Sequence, residues 1–420
     1  MSETEPMDID ERRKYIHKMW GRYRTSNKSE KGRLLDEIEA VTGMHRKAIL
    51  RLLNGRLSRK KRSRERGSVY GVEVSHAVLV IARSLDYPCA ERLQPNLVWM
   101  ALHLHQHGEL DIGKESLEKL ARISISTLKR IYRHKGRSET KLAFQQPRRS
   151  PIHNVRRLYP MRKIAWDIPE AGHFEVDLVH HCGEIANEEY IHTLQMVDIA
   201  TGWSEMVAVY GRSYRVMADG FDYLLARLPF RVLEIHPDNG VEFFSRNLLR
   251  YWKEKVPELQ LSRSRPYQKN DNRFVEENNH SLIRTYIGHD RLDTQAQLKA
   301  LRQLYEKLWL YHNFFQPVMR LQEKEFVSSL QYRRKYDQAK TPFDRLVEKN
   351  VLSENTRQRL QTLREQTNPM DLRNQIDSLI AHLLSLPTLN HAETVNVFET
   401  LIKEPHLSVT LSFEPTTPFR

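Results

Sequence analysis

Apolar residues recur at helical spacing through the first third of the chain. Ile16, Met19, Trp20 and Tyr23 share one side of a charged segment over 11–24. Leu34, Leu35, Ile38 and Val41 repeat the pattern after Ser29, which is placed to cap a second helix. Thr42-Gly43 interrupts it, and Ala48, Ile49, Leu52 and Leu53 mark the inward side of a third helix. Helix, short glycine turn and helix is the helix-turn-helix pattern. It returns over 116–133. There Leu117, Leu120 and Ala121 line one helix, Ile123-Ser124 make the turn, Ser126 caps, and Leu128, Ile131 and Tyr132 anchor the second helix.

From residue 173 the period changes. His173–His180 alternates as a strand, followed by strands over 191–199 and 203–210 that form an antiparallel meander. A helix over 214–226, a buried strand over 232–236, a helix over 247–255, a short strand over 259–264 and a long helix over 272–287 follow. The expected fold class is multidomain, with all-α helix-turn-helix modules at the N-terminus. A central α/β core with a mixed five-stranded sheet comes next, then a mainly helical C-terminal region. The divisions read as a helix-turn-helix domain at 1–55, a basic linker at 56–69 and a second helical domain at 70–137. A second basic linker spans 138–165, the core 166–317, a charged helical region 318–404 and a disordered tail 405–420.

Charge narrows the partner. Lys and Arg number 67 against 53 Asp and Glu, a net +14, and the isoelectric point is near 9.6. A protein this basic is expected to meet a polyanion, with double-stranded DNA first. The outward residues Arg46, Lys47 and Arg51 of the first recognition helix, and Lys129, Arg130 and Arg133 of the second, are the candidate contacts. The run Arg56–Arg66, including Arg59, Lys60, Lys61 and Arg62, is expected to track phosphates. Only Cys89 and Cys182 are present, which excludes a disulfide framework and a zinc-binding N-terminal module. No stretch of about 18 apolar residues and no apolar N-terminal segment occurs, so neither a membrane span nor a signal peptide is expected. A cytoplasmic location follows.

Three acidic positions stand apart by context. Asp177 is central in the first strand of the core. Asp238 follows the fourth strand in His236-Pro-Asp-Asn-Gly240, and Glu276 lies one turn into the long helix. Carboxylates gathered at one sheet edge repel unless divalent cations lie between them, and an all-oxygen set suits Mg²⁺ or Mn²⁺. Two such ions, the expected number, assist displacement at a phosphodiester.

These residues carry a resemblance. Phe174-Glu-Val-Asp177, Val197-Asp-Ile-Ala-Thr-Gly-Trp203, Asp238-Asn-Gly-Val-Glu-Phe243, Ser264-Arg-Pro-Tyr-Gln-Lys-Asn-Asp-Asn272, Val275-Glu-Glu-Asn-Asn279 and Tyr311-His-Asn-Phe-Phe-Gln-Pro317 resemble the catalytic cores of retroviral-type integrases and bacterial insertion-sequence transposases. The resemblance implies an RNase H-like core and a DDE-type polynucleotidyl transferase with Asp177, Asp238 and Glu276 as catalytic and metal-holding residues. Sixty residues separate the first pair and thirty-seven the second, slightly more than the family's usual thirty-five. It further implies cleavage at terminal inverted repeats and strand transfer into target DNA by a homodimer or larger assembly in a prokaryotic nucleoid. Asn279, one turn after Glu276, is expected to touch DNA or orient a ligand, and Arg265 and Lys269 to meet phosphates. The competing readings are a catalytically silent, transposase-derived DNA-binding protein and a tyrosine recombinase.

Overall fold

The computed structural model describes residues 7–55, 69–135, 168–183, 189–238, 240, 242–264, 272–328, 331–388 and 395–402. The chain forms two compact units, Met1–Val69 and Tyr70–Arg420. The run expected to track phosphates, with Arg59, Lys60, Lys61 and Arg62, most of both basic linkers and the 405–420 tail lie outside the described residues. Among those described, no helix is long and apolar enough to cross a membrane.

The first unit contains helices α1 (Ile9–Thr25), α2 (Lys28–Thr42) and α3 (Arg46–Leu53) around Ile16, Met19, Leu34, Leu35, Ile38, Ile49 and Leu53. Capping boxes start α1 and α2, from Asp8 with Glu11 and from Asn27 with Glu30. The α2 cap is therefore Asn27 and not Ser29. Val41 is exposed and Thr42 is buried, its hydroxyl donating to the Ile38 carbonyl at 2.6 Å. Gly43 closes α2 in the left-handed conformation, φ 65°, which no Cβ opposes.

The second unit begins with α4 (Val72–Ser84), α5 (Ala90–Leu93), α6 (Leu97–Gln106), α7 (Lys114–Arg122) and α8 (Ile125–Lys135). The α7–α8 pair has the expected turn, but the Ser124 hydroxyl, not Ser126, accepts the Thr127 N–H at the start of α8. Ala121 is exposed.

Strands β1 (His173–His180), β2 (Ile191–Asp198) and β3 (Ser204–Tyr210) then pair antiparallel. Helix α9 (Tyr214–Arg227), β4 (Glu234–Pro237), α10 (Arg246–Lys255) and β5 (Gln260–Leu261) follow, with β4 and β5 adding in parallel to the β1 side. The strand order is β3-β2-β1-β4-β5. This is the mixed five-stranded sheet expected, and its order is consistent with an RNase H-like core.

Every residue of β2 and β3 is buried, so both sheet faces are covered. Gly220 seats α9 on one face: a Cβ there would stand 3.1 Å from Val209 and 3.2 Å from Leu194. The other face holds α11 (Arg273–Asn278) and α13 (Gln295–Phe315). Between them the expected long helix is continuous but not uniform: a π-helical turn (Asn279–Arg284) leads into α12 (Thr285–Ile287).

Two expectations for the flanking regions are corrected. The charged segment after the core is not mainly helical throughout. It opens with a hairpin of β6 (Leu321–Ser328) and β7 (Gln331–Tyr336) before α14 (Pro342–Glu348), α15 (Glu354–Gln366) and α16 (Pro369–Ser385). Nor do boundaries at 137 and 318 separate domains, because one apolar core runs from Val74 through the sheet to Leu383. The Tyr311 hydroxyl donates to the Ser84 carbonyl at 2.7 Å, the Asn96 amide to the Ala339 carbonyl at 3.2 Å, and His103 Nε2 meets the Thr367 carbonyl at 2.9 Å. The cause is visible in α4, where Val74, Val78 and Ile81 are buried while Leu79 and Val80 also pack against the core. A helix apolar on more than one side needs more than one partner.

A fragment ending at residue 69 is therefore expected to fold as a helical unit by itself. One ending at residue 137 should expose α4 and α6 and aggregate. Circular dichroism, dye binding and size-exclusion profiles of the two fragments check this.

Candidate active site

Strand register brings the first two carboxylates together. β1 and β4 run parallel with Val176 opposite Pro237, so the next residues, Asp177 and Asp238, are neighbours across the strand gap. The backbone leaves β4 at that point, and the Gly240 N–H donates to Asp238 Oδ1 at 2.8 Å, bending the carboxyl back over the sheet edge. Asp177 Oδ1 accepts from its neighbour's N–H, that of Leu178, at 2.8 Å. Its Oδ2 accepts from the Asn279 amide at 2.5 Å.

Both carboxyls are held above the ordinary aspartate range. For Asp177 the main cause is burial, with the negative charges of Glu276 and Glu242 adding to it against the two hydrogen bonds. For Asp238 it is burial and then the charge of Asp177, with Glu242 again contributing. Asp177, Asp238 and Glu276 thus share one electrostatic site, and Glu242 joins them as a fourth carboxylate that sequence reasoning did not single out. Its position in Asp238-Asn-Gly-Val-Glu242, just past the turn, was the available signal.

The third carboxylate depends on how α11 is seated. Glu175, two residues before Asp177 and on the same face of β1, is buried and accepts the Phe274 and Val275 N–H groups at 2.6 and 3.0 Å. These are the second and third residues of α11, so a strand carboxylate does the work of a helix cap where the Asn272 side chain does not. Burial pushes the Glu175 carboxyl up to about 7.

A chain of polar side chains ties the other end of the approach. The Ser262 hydroxyl donates to Glu234 Oε1 at 2.6 Å and meets His236 Nδ1 at 2.7 Å. His236 Nε2 lies 3.3 Å from the Ser264 hydroxyl, which donates to Asn272 Oδ1 at 2.7 Å. The seated helix turns Glu276 toward Asp177. Glu277 acts instead on Arg320, whose guanidinium lies 4.7 Å from the Phe274 ring centroid.

The remaining sequence candidates divide. Asn279 reaches Asp177, as a residue orienting a ligand would. Arg46 is ion-paired to Asp36 and donates to the Gly32 carbonyl, committing it to α2, whereas Lys47 and Arg51 are exposed. Lys129 is ion-paired to Glu91, and Arg130 and Arg133 are exposed. Arg265 and Lys269 lie outside the described residues. Asp198 is a turn residue, its carboxylate accepting from Gly172 N at 2.7 Å and from Thr201 N and Oγ1 at 2.8 and 2.6 Å.

Among the described residues, no three His, Cys, Asp or Glu side chains are gathered closely enough to hold a metal ion. The donor set nonetheless fits a hard divalent cation. It consists of carboxylate oxygens that oppose one another's ionisation, beside Asn279 Oδ1, which is buried without a hydrogen-bond partner among the described residues.

The raised carboxyls, held up by burial first and by neighbouring carboxylate charge second, have a consequence for stability. Asp177 and Asp238 bind protons more tightly in the folded chain than in the unfolded one, so folding is favoured by acid. Metal-free protein is expected to lose melting temperature as pH rises from about 4 toward neutrality. Asp238→Asn should flatten that decline, and Mg²⁺ or Mn²⁺ should reverse it. Calorimetry with and without chelator measures all three.

The sheet and its edge define an α/β protein with a carboxylate site built across two parallel strands and a helix. No family model matches the chain. Over 317 residues, covering 74% of this chain and 89% of the relative, it is 33% identical to the "Uncharacterized protein y4rM" of Sinorhizobium fredii (strain NBRC 101917 / NGR234). The chain belongs to the family of that protein. Among solved structures, the catalytic core domain of BIV integrase is similar with 15% identity and a TM-score of 0.29, over 43% of this chain and 95% of that chain.

Proposed function

We propose that the protein is a DDE-type polynucleotidyl transferase, a transposase that binds the terminal repeats of a mobile element, frees 3′ ends and joins them to target DNA. The observation that carries this reading is the register-enforced pairing of Asp177 with Asp238, with the Glu276 charge acting on Asp177. Asp177, Asp238 and Glu276 would hold two Mg²⁺ or Mn²⁺ ions, with Asn279 orienting Asp177. The ions, when bound, supply Lewis acidity toward the attacking and leaving oxygens of a phosphodiester. The chain's own part is positional. Glu175 and the Ser262–His236–Ser264–Asn272 chain fix the helix, and Asn279 fixes one aspartate oxygen, so that little reorganisation is left to the reacting state. No side chain is required as a covalent nucleophile, in contrast to a tyrosine recombinase. The helix-turn-helix units would place the DNA ends, and two ends cut together call for a dimer or larger assembly.

A second reading is favoured by one observation. The lack of a gathered three-ligand cluster among the described residues suits a transposase-derived DNA-binding protein that has lost its chemistry. Strand transfer of duplexes carrying the element's own ends into supercoiled plasmid, with and without Mg²⁺, separates the two. Joined product only with the cation supports the first, and binding without any product supports the second.

A further inference from the structure

The β6–β7 hairpin belongs to no site described above, and its charge pattern is unusual for a two-stranded ribbon. β6 carries Glu323, Lys324 and Glu325, whereas β7 carries three consecutive cations, Arg333, Arg334 and Lys335. Glu323, Glu325, Arg333, Arg334, Lys335 and Tyr336 are all exposed. The register sorts these charges by face. Glu323 stands opposite Lys335, with an ion pair at 3.6 Å, and Glu325 opposite Arg333, so one face is compensated. On the alternate positions of β7 Arg334 has neither glutamate of β6 opposite it, and exposed Tyr336 lies two residues along.

Charges that merely blunt exposed edges against aggregation need no such sign asymmetry. The ribbon is also firmly rooted beside the candidate active site. The Arg320 N–H donates to Asp337 Oδ1 at 2.7 Å across its base, and Arg345 pairs with the same carboxylate at 2.6 Å. Arg320 in turn lies over Phe274, in the helix that carries Glu276.

We propose that this hairpin is a phosphate-contacting arm for duplex DNA, holding the backbone that flanks the strand presented to Asp177, Asp238 and Glu276. The inference rests on the DNA-processing reading above. Arg334, on the face that Glu323 and Glu325 do not offset, meets the phosphates of a polyanion laid across the ribbon, and Arg333 and Lys335 add contacts blind to sequence.

The test uses the full chain and a fluorescent random-sequence duplex titrated at low and moderate salt. The triple change Arg333→Ala, Arg334→Ala, Lys335→Ala should weaken binding and flatten its salt dependence. Three lost contacts, at about 0.9 each in the log–log slope, narrow the gap to the parent protein roughly fortyfold between about 50 and 200 mM salt. Arg334→Glu guards against misfolding, because it leaves the Glu323–Lys335 pair and the compensated face of the ribbon untouched. It should melt no lower than the parent while binding the duplex more weakly. Unchanged slopes in both variants overturn the proposal. So does a loss of self-association or of a protein partner with DNA binding intact, which would make the ribbon a protein contact. If the parent binds the duplex but never joins ends, the enzymatic reading fails while the arm still stands or falls on the slopes.

Discussion

Asp177→Asn, Asp238→Asn and Glu276→Gln are each expected to abolish DNA cutting and joining, by at least about a thousandfold, while duplex binding persists. The size follows from what each group does. Asp177 and Asp238 are the pair whose proximity β-strand register enforces, and Glu276 is the helix carboxylate acting on Asp177. An amide keeps the shape and one acceptor oxygen but removes the negative charge a divalent cation needs. Glu277→Gln should stay within a fewfold of the parent, since Glu277 acts on Arg320 and not on Asp177. Plasmid nicking and strand transfer read the loss, and anisotropy with labelled duplex reads binding. Near-parental turnover in any one of the three would falsify the assignment.

The second large effect is expected at Glu175, a positioning residue. Glu175→Ala leaves two N–H groups at the start of α11 without their acceptor, at a cost of about 1–3 kcal/mol each if nothing replaces it. A helix that drifts by an ångström at a reacting centre can cost on the order of a hundredfold in rate. Turnover should therefore fall by one to two decades, with DNA affinity unchanged and a higher divalent-cation requirement. Glu175→Gln keeps an acceptor oxygen and resembles the protonated form that burial favours, and should recover most of the rate. Equal damage from Ala and Gln, or lost affinity in place of lost turnover, would show that Glu175 matters only to folding.

Much of this architecture is legible along the chain because it depends on local periodicity. The alternation in His173–His180 marks the central strand, and the Asn-Gly after Asp238 marks the strand end. The Val-Glu-Glu-Asn-Asn register also distinguishes Glu276 from its neighbour. What escapes reading is set by contacts distant in sequence. Glu175 looks like any strand carboxylate until α11 arrives a hundred residues later. The Ser262–His236–Ser264–Asn272 chain consists of ordinary polar residues whose roles appear only once β4 and β5 are paired. The hairpin is not visible in the sequence, because charges spaced through 321–336 fit a solvated helical face as readily as alternate strand positions. The separate second domain was expected because a helix-turn-helix pattern says nothing about what covers its back.

That shared back sets an order of events during synthesis. The Tyr311 hydroxyl closes onto the Ser84 carbonyl across 227 residues. At about 5–20 residues per second, the ribosome needs roughly 10–45 s to make the intervening chain. Throughout that interval α4 and α6 have emerged without the helices that cover them, whereas the first three helices can already have closed on their own core. The nascent protein thus has its first three-helix unit ready early and a sticky, half-finished second unit still being made. Its yield in the cell should depend on the chaperones that meet the chain between those two moments.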